Sequence, residues 1–464
     1  MGSNKKINLH TNRKSNVKED KMNIVSSYKV KINNRYGDFS VDKKTIHDTC
    51  LLYRDALKFF ISLIEKEWAV ISAYEKNPVS LIEKLSHKTK DNPNPKYDFD
   101  SKLYKFPSYL RRAAIGEALG HVRSYFTRLE LFNETDREHK PPKLQYKHNS
   151  MPVFYISSGG LFKWTDEYSC EIKVFKNNDW VWINLNLRPS DVRYIRERGN
   201  VLSPTIRKKR NEYYFVFPVK SKTVIPTKIN TVVGVDLGLN SLATLCVMDD
   251  KGTIYKRKFI KNNEEKDLLN HLINKKKKLQ RNRKSTNSIY REINNCQNRL
   301  EIYTCREIIK FALENNVNGI VFEHLDPYIR AKGSYKEKLH LWRKRGIIKR
   351  LSHLCHVNGL KYASVCARNT SKFAFDGSGV VHRDKTNYCL ATFSNGKKYN
   401  CDLSASYNIA ARYFIREKIK PYKEKKTCRL MLEAKVPLAL NGTKNTYSDL
   451  ISLNVVVQTP CFSN

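Results

Sequence analysis

The sequence contains no Cys-x-x-Cys pair, although it has 11 cysteines in all. It also lacks any apolar run of about 18 residues, the length that a membrane-spanning helix needs, and its first residues contain no apolar core of a signal peptide. Scattered cysteines without paired spacing are typical of reduced thiols and not of a disulfide framework. These absences exclude a small secreted disulfide scaffold and predict an intracellular protein.

Acidic residues are scarce as well. The chain has 45 Asp and Glu against 86 Lys and Arg, a formal net charge of +41. A positive charge this large predicts a polyanionic partner, because phosphates attract clustered basic side chains over long distances. A ribosome-associated protein, or one that is only very soluble, is the competing interpretation. With 40% hydrophobic residues over 464 positions, the chain is long enough for two or more folded domains.

Three acidic residues each stand at the end of a predicted element. The β-branched run at 231–235 ends on Asp236, and a glycine turn follows. The short apolar run at 317–322 ends on Glu323, and Asp402 opens a helical pattern with small or apolar residues along one side. We expect the three carboxylates to converge on one point. Clustered carboxylates repel one another unless cations neutralise them, so the convergence predicts bound Mg²⁺ or Mn²⁺, which are hard cations that take oxygen ligands.

These segments resemble a known set of motifs. Gly-Val-Asp-Leu-Gly-Leu-Asn from position 234, Val-Phe-Glu-His-Leu from 321 and Asp-Leu-Ser-Ala-Ser-Tyr-Asn-Ile-Ala from 402 are similar to the three RuvC motifs of TnpB, the transposon-encoded RNA-guided nuclease, and of the compact type V CRISPR effectors. The resemblance covers roughly residues 25 to 420. It implies an endonuclease that hydrolyses DNA with two divalent cations after a guide RNA has paired with its target.

The resemblance also implies partners and residue roles. A guide RNA and double-stranded target DNA with a short flanking motif would be the partners, and the location would be a bacterial cytoplasm, in association with the nucleoid. Asp236, Glu323 and Asp402 would be catalytic and bind the metal, with Asp236 bridging two ions and Glu323 orienting the attacking water or binding one ion. Arg383 falls where relatives carry an arginine near the scissile phosphate. Monomer and homodimer stay open, as do a transposon and a CRISPR context.

Periodicity and resemblance together predict a multidomain α+β fold with three main parts. These are an RNase H-like (RuvC) α/β nuclease core, a β-barrel wedge domain and an inserted α-helical recognition lobe. Residues 1–24 are expected to form a disordered basic arm, residues 25–44 and 136–228 the wedge, and residues 45–135 the lobe, with a helix from Thr45.

The second half of the chain is expected to hold the nuclease. Residues 229–365 would be the core with a lid, 366–400 a degenerate zinc-ribbon-like insert that binds target nucleic acid, and 401–420 the last core helix. The tail at 421–464 has no recognised counterpart, and residues 450–457 in it are expected to be an added strand or a flexible extension.

Basic residues in three predicted elements are the candidates for nucleic-acid contact. They lie on the second helix of the lobe, in a basic run of the wedge and in the helical region 264–314. A solvated face is the alternative interpretation for each group. The candidates are Arg111, Arg112, Arg123, Lys208, Lys209, Arg210, Lys276, Lys277, Arg281 and Arg283.

The insert departs from the family pattern. Relatives place a four-cysteine zinc ribbon there, and this chain keeps its Thr370-Ser371 frame without its ligands. The ligand positions are occupied by Ala374, Gly377, Thr392 and Asn395. Structural zinc needs four thiolate or imidazole ligands, so we expect a metal-free hairpin packed around aromatic residues. A substitute ligand set lacks the paired spacing: Cys366, His382, Cys389 and Cys401.

Other functions stay open at this point. One is an RNA-guided binder that silences its target by occupancy, and another is an RNase H-like nuclease or transposase that works without guide RNA. Gly-Val-Asp-Leu-Gly also opens the actin and sugar-kinase ATPases. Those proteins need a second glycine-rich phosphate loop, which this chain lacks, and they would not explain the net charge.

Overall fold

The computed structural model describes residues 19–33, 39–134, 140–156, 160–209, 212–238, 241–324, 343–384, 387, 389–422, 432, 434–436 and 441–458. The chain divides into two compact units, of which the first is Asn23–Lys222 and the second contains Thr223–Asn464.

Helices of the first unit form a bundle around two long partners. The helices are α1 (Phe39–Lys66), α2 (Trp68–Ser72), α3 (Pro78–Ser86), α4 (Phe99–Lys102) and α5 (Ser108–Asn133). Apolar residues recur every three or four positions on α1 and α5, which gives each helix one buried face. The buried residues include Tyr53, Leu57, Phe60, Ile64, Leu110, Ala114, Ala118 and Val122. A helical bundle therefore occupies the region expected to be the recognition lobe. Its first helix begins at Phe39 and not at Thr45, and the mostly polar first turns explain why the sequence gives no periodic signal there.

Strands that lie wholly or largely within the first unit form two sheets. The strands are β1 (Glu19–Lys31), β2 (Phe162–Trp164), β3 (Ser169–Lys176), β4 (Asp179–Asn186), β5 (Asn200–Val201), β6 (Thr205–Lys209) and β7 (Glu212–Pro226). One sheet has the order β1-β7-β5 with β6 also on β7, and the other has the order β2-β3-β4. A short helix, α6 (Pro189–Arg196), follows β4.

Two predictions for this unit need correction. The strands that the structure describes form no closed barrel, because alternation predicts a half-buried strand without saying which strands pair. Residues 19–24, expected in a disordered arm, belong to β1. The remainder of that arm lies outside the described residues.

The second unit is built on a five-stranded mixed sheet. Its strands are β8 (Thr231–Asp236), β9 (Ala243–Asp249), β10 (Ile254–Ile260), β11 (Gly319–His324) and β12 (Lys361–Cys366), in the order β10-β9-β8-β11-β12. The first three strands pair antiparallel, and β8, β11 and β12 are parallel.

Helices cover both faces of this sheet. On one side lie α7 (Asn263–Arg281), α8 (Asn287–Glu314) and α9 (Lys344–Val357), and on the other lie α10 (Cys401–Ile419) and α11 (Tyr447–Val457). Alternate residues of each strand enter the two cores, so Val233 packs towards α8 and Val232 towards α10. Burial on both faces explains why β8 and β11 are continuous apolar runs. The region that the resemblance assigns to the lid is predicted as a helix over 336–358 and a strand over 361–365. Residues 336–342 lie outside the described residues, and the rest forms α9 and β12.

A glycine permits the closest helix contact with the sheet. A Cβ added at Gly234 would lie 2.5 Å from the carbonyl oxygen of Ser406 and 2.9 Å from the Cβ of Ala410. Only hydrogen fits in that space, so α10 packs directly against the backbone of β8. The small residues of the third motif thus bring the helix that carries Asp402 onto the strand that carries Asp236.

The insert is a small antiparallel sheet. Its strands are β13 (His382–Arg383), β14 (Leu390–Thr392) and β15 (Lys398–Asn400). Phe393 is buried beside Ala374 and Ala391, and its ring centre lies 5.8 Å from that of Phe375. The aromatic packing agrees with the predicted hairpin. Tyr388, another aromatic residue of this segment, lies outside the described residues.

The end of the tail is a helix, which corrects the predicted strand or flexible extension. The β-branched run near 455 favours a strand in isolation. Thr446 and Asp449 form a capping box that starts α11, and Leu450, Leu453 and Val456 bury one helical face against the core of α10. Tertiary packing therefore overrides the local preference.

Across the part of the chain that the structure describes, no helix has the length and apolar character needed to span a membrane.

Candidate active site

Asp236 and Glu323 lie side by side at one edge of the sheet. β8 and β11 are parallel, and their register pairs Val235 with Phe322, the residues directly before the two carboxylates. Neighbouring strands are about 4.8 Å apart. Because side chains alternate along a strand, both carboxylates lie on the face that packs against α10. The first two predicted site residues are therefore neighbours.

Asp402 reaches the same region from the first turn of α10. The side chain of Asn400 caps this helix by accepting hydrogen bonds from the backbone N–H groups of Asp402 and Leu403, each at 3.0 Å. Asp402 lies about one helical turn before Ser406, which contacts Gly234. That spacing directs Asp402 towards the carboxyl end of β8.

The charges of the other two carboxylates act on Asp236. Burial raises the pKa of Asp236 well above its usual range, the charges of Glu323 and Asp402 raise it further, and Lys344 and Arg383 act in the opposite direction. Burial also raises the pKa of Asp402, against a lowering by Arg383. The structure thus brings together all three predicted carboxylates and Arg383.

Lys344 is a basic residue of this site that the sequence did not indicate. It opens α9, the crossover helix between the parallel strands β11 and β12, and such a helix starts at the carboxyl edge of the sheet. Burial lowers the pKa of Lys344, and the charges of Glu323 and Asp236 oppose that lowering. Lys344 and Arg383 are therefore two basic side chains whose charges act on the carboxylates.

Glu323 has a buried hydrogen-bond donor. The hydroxyl of Thr370, which is 1% exposed, donates to Glu323 Oε1. A hydrogen bond donated to one oxygen limits the rotation of the carboxylate.

The donor chemistry of the site fits a hard divalent cation. Among the residues that the structure describes, no group of three or more His, Cys, Asp or Glu side chains is arranged to hold a metal ion alone. Mg²⁺ in proteins, however, takes one or two carboxylates and completes its shell with water and substrate phosphate. Burial and the charges of Glu323 and Asp402 raise the pKa of Asp236, and a bound cation would act in the opposite direction. Asp236 and Glu323, from neighbouring strands, are the pair best placed to hold it.

The cysteines of the substitute zinc-ligand set differ in solvent exposure. Cys366 is exposed, Cys389 is half-buried and Cys401 is buried. These three thiols and His382 are not among any potential metal-holding group found in the described residues. The absence of structural zinc stays a prediction.

Most of the basic candidates for nucleic-acid contact lie on the surface. The exposed ones are Arg112, Arg123, Lys208, Lys209, Lys277, Arg281 and Arg283. Arg210 lies outside the described residues.

Two other candidates are buried, and each is 6% exposed. The guanidinium of Arg111 donates to Glu83 Oε1 at 3.2 and 3.3 Å, and the ammonium of Lys276 lies 5.4 Å from the ring centre of Tyr290. Both side chains share a helical face with apolar residues. We therefore infer that both side chains are structural and do not contact nucleic acid.

Sequence reasoning assigned no role to Lys344 or Thr370. Lys344 lies in a basic region where no pattern singles it out. Thr370 belongs to the Thr-Ser frame of the insert, and that frame was the one available signal. The sequence analysis gave Arg412 no role either. Its signal is a charged residue in the middle of α10, because charged side chains are rare in an almost wholly buried helix.

Comparison with known proteins gives one family match. The model of the Aq_aa04 family matches residues 26–176, which is about a third of the chain. No curated protein matches the sequence.

Several solved structures are similar over most of the chain. They include a Cas12f1–sgRNA–target DNA complex (13% identity, 83% of this chain and 99% of that chain, TM-score 0.32) and CasPhi-2 (Cas12j) bound to crRNA (10%, 84% and 98%, TM-score 0.48). A Cas12i–crRNA–dsDNA complex matches with 11% identity over 77% of this chain and 65% of that chain, with a TM-score of 0.40. All three TM-scores lie below 0.5.

Proposed function

We propose that this protein is an RNA-guided DNA endonuclease and that the sheet of the second unit, with its flanking helices, is an RNase H-like nuclease core. The observation that supports the proposal most is the convergence of Asp236, Glu323 and Asp402 at the carboxyl ends of β8 and β11. The pKa values of Asp236 and Asp402 are raised, and carboxyl groups with raised pKa values are typical of functional sites. The net charge of +41 supports a nucleic acid as the substrate.

Each side chain of the site has a role in this proposal. Bound divalent cations would activate the attacking water and neutralise charge on the phosphate and the leaving oxygen. Asp236 and Glu323 would hold a cation between adjacent strands, and Asp402 would approach it from α10. Lys344 and Arg383 place positive charge beside the carboxylates, where they would bind phosphate oxygens and stabilise the charge that develops during hydrolysis.

The guide RNA is proposed from the sequence motifs. Pairing between guide and target would select the sequence, while the protein would contact the duplex backbone and a short flanking motif. The exposed basic residues are the proposed backbone contacts. A monomer and a homodimer are both compatible with this mechanism.

A binder that acts by occupancy is the second candidate. The observation that favours it is that no three acidic, histidine or cysteine side chains in the described residues are arranged to hold an ion by themselves. Target binding without hydrolysis is the outcome that would distinguish it.

The test uses the full chain purified from cells that carry its native locus. Co-purifying RNA is sequenced, and the complex is incubated with Mg²⁺ and a matched plasmid beside Asp236→Ala. The exposed residue Asp267 on α7 supplies the control Asp267→Ala. A specific RNA, with cleavage lost only in Asp236→Ala, supports the proposal. Binding without cleavage favours occupancy, and the absence of any specific RNA would overturn the guide.

A further inference from the structure

Thr370 connects the candidate active site to the end of the chain. It lies in the turn after β12, and its hydroxyl donates to Glu323 Oε1. We call residues 366–373 the Thr370 turn and residues 441–457 the clamp segment. Two buried side chains of α10, Asn408 and Arg412, join the turn to the segment.

Asn408 makes the first connection. It has no exposed surface, and its amide nitrogen donates to the carbonyl oxygens of Thr370 and Phe373, both at 3.0 Å. Its amide oxygen accepts the backbone N–H of Tyr447 at 2.9 Å. One side chain therefore ties the first residue of α11 to the residue that holds Glu323.

Arg412 makes the second connection. Its guanidinium, on a residue that is 3% exposed, donates to the Cys366 and Arg368 carbonyls at 2.6 and 2.9 Å in the Thr370 turn. It also donates to the Asn445 and Thr443 carbonyls at 2.8 and 3.2 Å in the clamp segment. Burying a guanidinium is costly unless its donors are satisfied, so neither segment can move alone without leaving donors unpaired.

We propose that Thr370 is a positioning residue of the active site and that the clamp segment fixes it in place through Asn408 and Arg412. The inference rests on the proposed nuclease function, because it assigns Glu323 as a metal ligand. Partners that hydrogen-bond a ligating carboxylate set its orientation, and their loss costs metal affinity or activity. The tail thereby becomes part of the active-site architecture.

The first test separates the Thr370 hydroxyl from the shape of the side chain. Thr370→Val removes the donor and keeps the volume, whereas Thr370→Ser keeps the hydroxyl. Ser371→Ala removes a neighbouring exposed hydroxyl and is the control. Mn²⁺ binding by the RNA-free full chain is followed by electron paramagnetic resonance and by the rise in unfolding temperature with Mn²⁺.

Thr370→Val is expected to bind Mn²⁺ about 10- to 100-fold more weakly than wild type. Thr370→Ser and Ser371→Ala should stay close to wild type. In cleavage assays with RNA and Mg²⁺, Thr370→Val should lower kcat with little change in KM for DNA, because Thr370 orients a ligand and does not bind the target.

The second test addresses the clamp segment. Tyr447 is the first residue of α11, a position where proline is well tolerated, so Tyr447→Pro removes the N–H that Asn408 accepts. Tyr447→Ala loses the same ring but keeps the N–H, and it is the matched control. Tyr447→Pro is expected to bind Mn²⁺ more weakly than Tyr447→Ala.

Each outcome is decisive. Equal Mn²⁺ affinity in Thr370→Val and wild type would overturn the positioning role, and equal affinity in the two Tyr447 variants would overturn the role of the clamp segment. Either result leaves the proposed nuclease standing if wild type cleaves. A wild-type protein that neither binds Mn²⁺ nor cleaves would overturn the proposed function and this inference together.

Discussion

Gly234 on β8 lies so close to Ser406 on α10 that a Cβ at position 234 would come within 2.5 Å of the Ser406 carbonyl oxygen. Gly234→Ala must therefore push α10 away from the sheet. We expect the free energy of unfolding to fall by about 1–3 kcal/mol, as in other overpacked cores. Because α10 carries Asp402, cleavage should weaken as well. Urea unfolding and plasmid cleavage measure the two effects.

A glycine on α5 supplies the control for this prediction. Gly116 is exposed, and nothing lies within 4 Å of a Cβ added there. Gly116→Ala should stabilise the protein by about 0.5–1 kcal/mol, the usual gain from replacing a helical glycine. Equal destabilisation by both substitutions would contradict the packing argument.

The sequence predicts the second unit better than the first for a physical reason. β8 and β11 are buried on both faces, so their apolar runs and terminal carboxylates stand out in the sequence, and Gly234 and the small residues after Asp402 mark a close helix contact. In the first unit, pairing between distant strands such as β1 and β7 decides the architecture. Alternating polarity carries no information about which strands become partners.

The residues of the candidate site also differ in how far the sequence predicts them. Asp236, Glu323 and Asp402 end or begin their elements, which makes them visible in the sequence. Lys344 reaches the site because the crossover helix between two parallel strands starts there. Thr370 reaches it because Asn408 and Arg412 hold its turn in place. Such contacts arise from tertiary structure, and local patterns do not encode them.

Arg111 is expected to be a structural residue. Its guanidinium donates hydrogen bonds to Glu83 Oε1. The exposed side chain of Arg112 forms an ion pair with Glu83 Oε2 at 3.2 Å. Arg111→Leu should cost about 1–3 kcal/mol of stability, because a partly buried carboxylate loses donors. Arg112→Ala should cost no more than about 1 kcal/mol, as for an exposed ion pair. RNA binding should weaken only in Arg112→Ala, and the opposite pattern would restore Arg111 as a nucleic-acid contact.

The stability of the first unit should fall in mild acid because of His121. Its ring stacks on that of His148, with the ring centres 3.9 Å apart, and its Nε2 lies 3.8 Å from Glu117 Oε1. Burial and His148 lower the pKa of His121, against a smaller raising by Glu117. The unfolded chain therefore binds the proton first as the pH falls below about 6.5, and stability is lost there and not above it. His121→Phe should show a smaller loss between pH 7 and 5 in thermal unfolding, and an unchanged pH profile would refute the assignment.

The insert is expected to be stable without metal. Phe393 is 2% exposed in its core, so Phe393→Ala should cost about 3–5 kcal/mol when the second unit unfolds cooperatively. Val380 in the same insert is 40% exposed, and Val380→Ala should change stability by less than about 0.5 kcal/mol. A zinc chelator should leave the unfolding midpoint of the full chain unchanged. A midpoint that falls on chelation would show that metal contributes to the fold.

The burial of Asp236 beside two other carboxylates predicts that activity and stability oppose each other at this residue. Its pKa is raised by burial and by the charges of Glu323 and Asp402, so the ionised carboxylate destabilises the metal-free fold at neutral pH. Asp236→Asn should therefore raise the unfolding temperature in EDTA, while the exposed control Asp267→Asn should not. Excess Mg²⁺ should reduce the difference, because it stabilises only the chain that binds it. Cleavage should fall by more than the roughly 100-fold that loss of an outer partner costs. If Asp236→Asn proves less stable than wild type in EDTA, Asp236 is a structural carboxylate and the metal site must lie elsewhere.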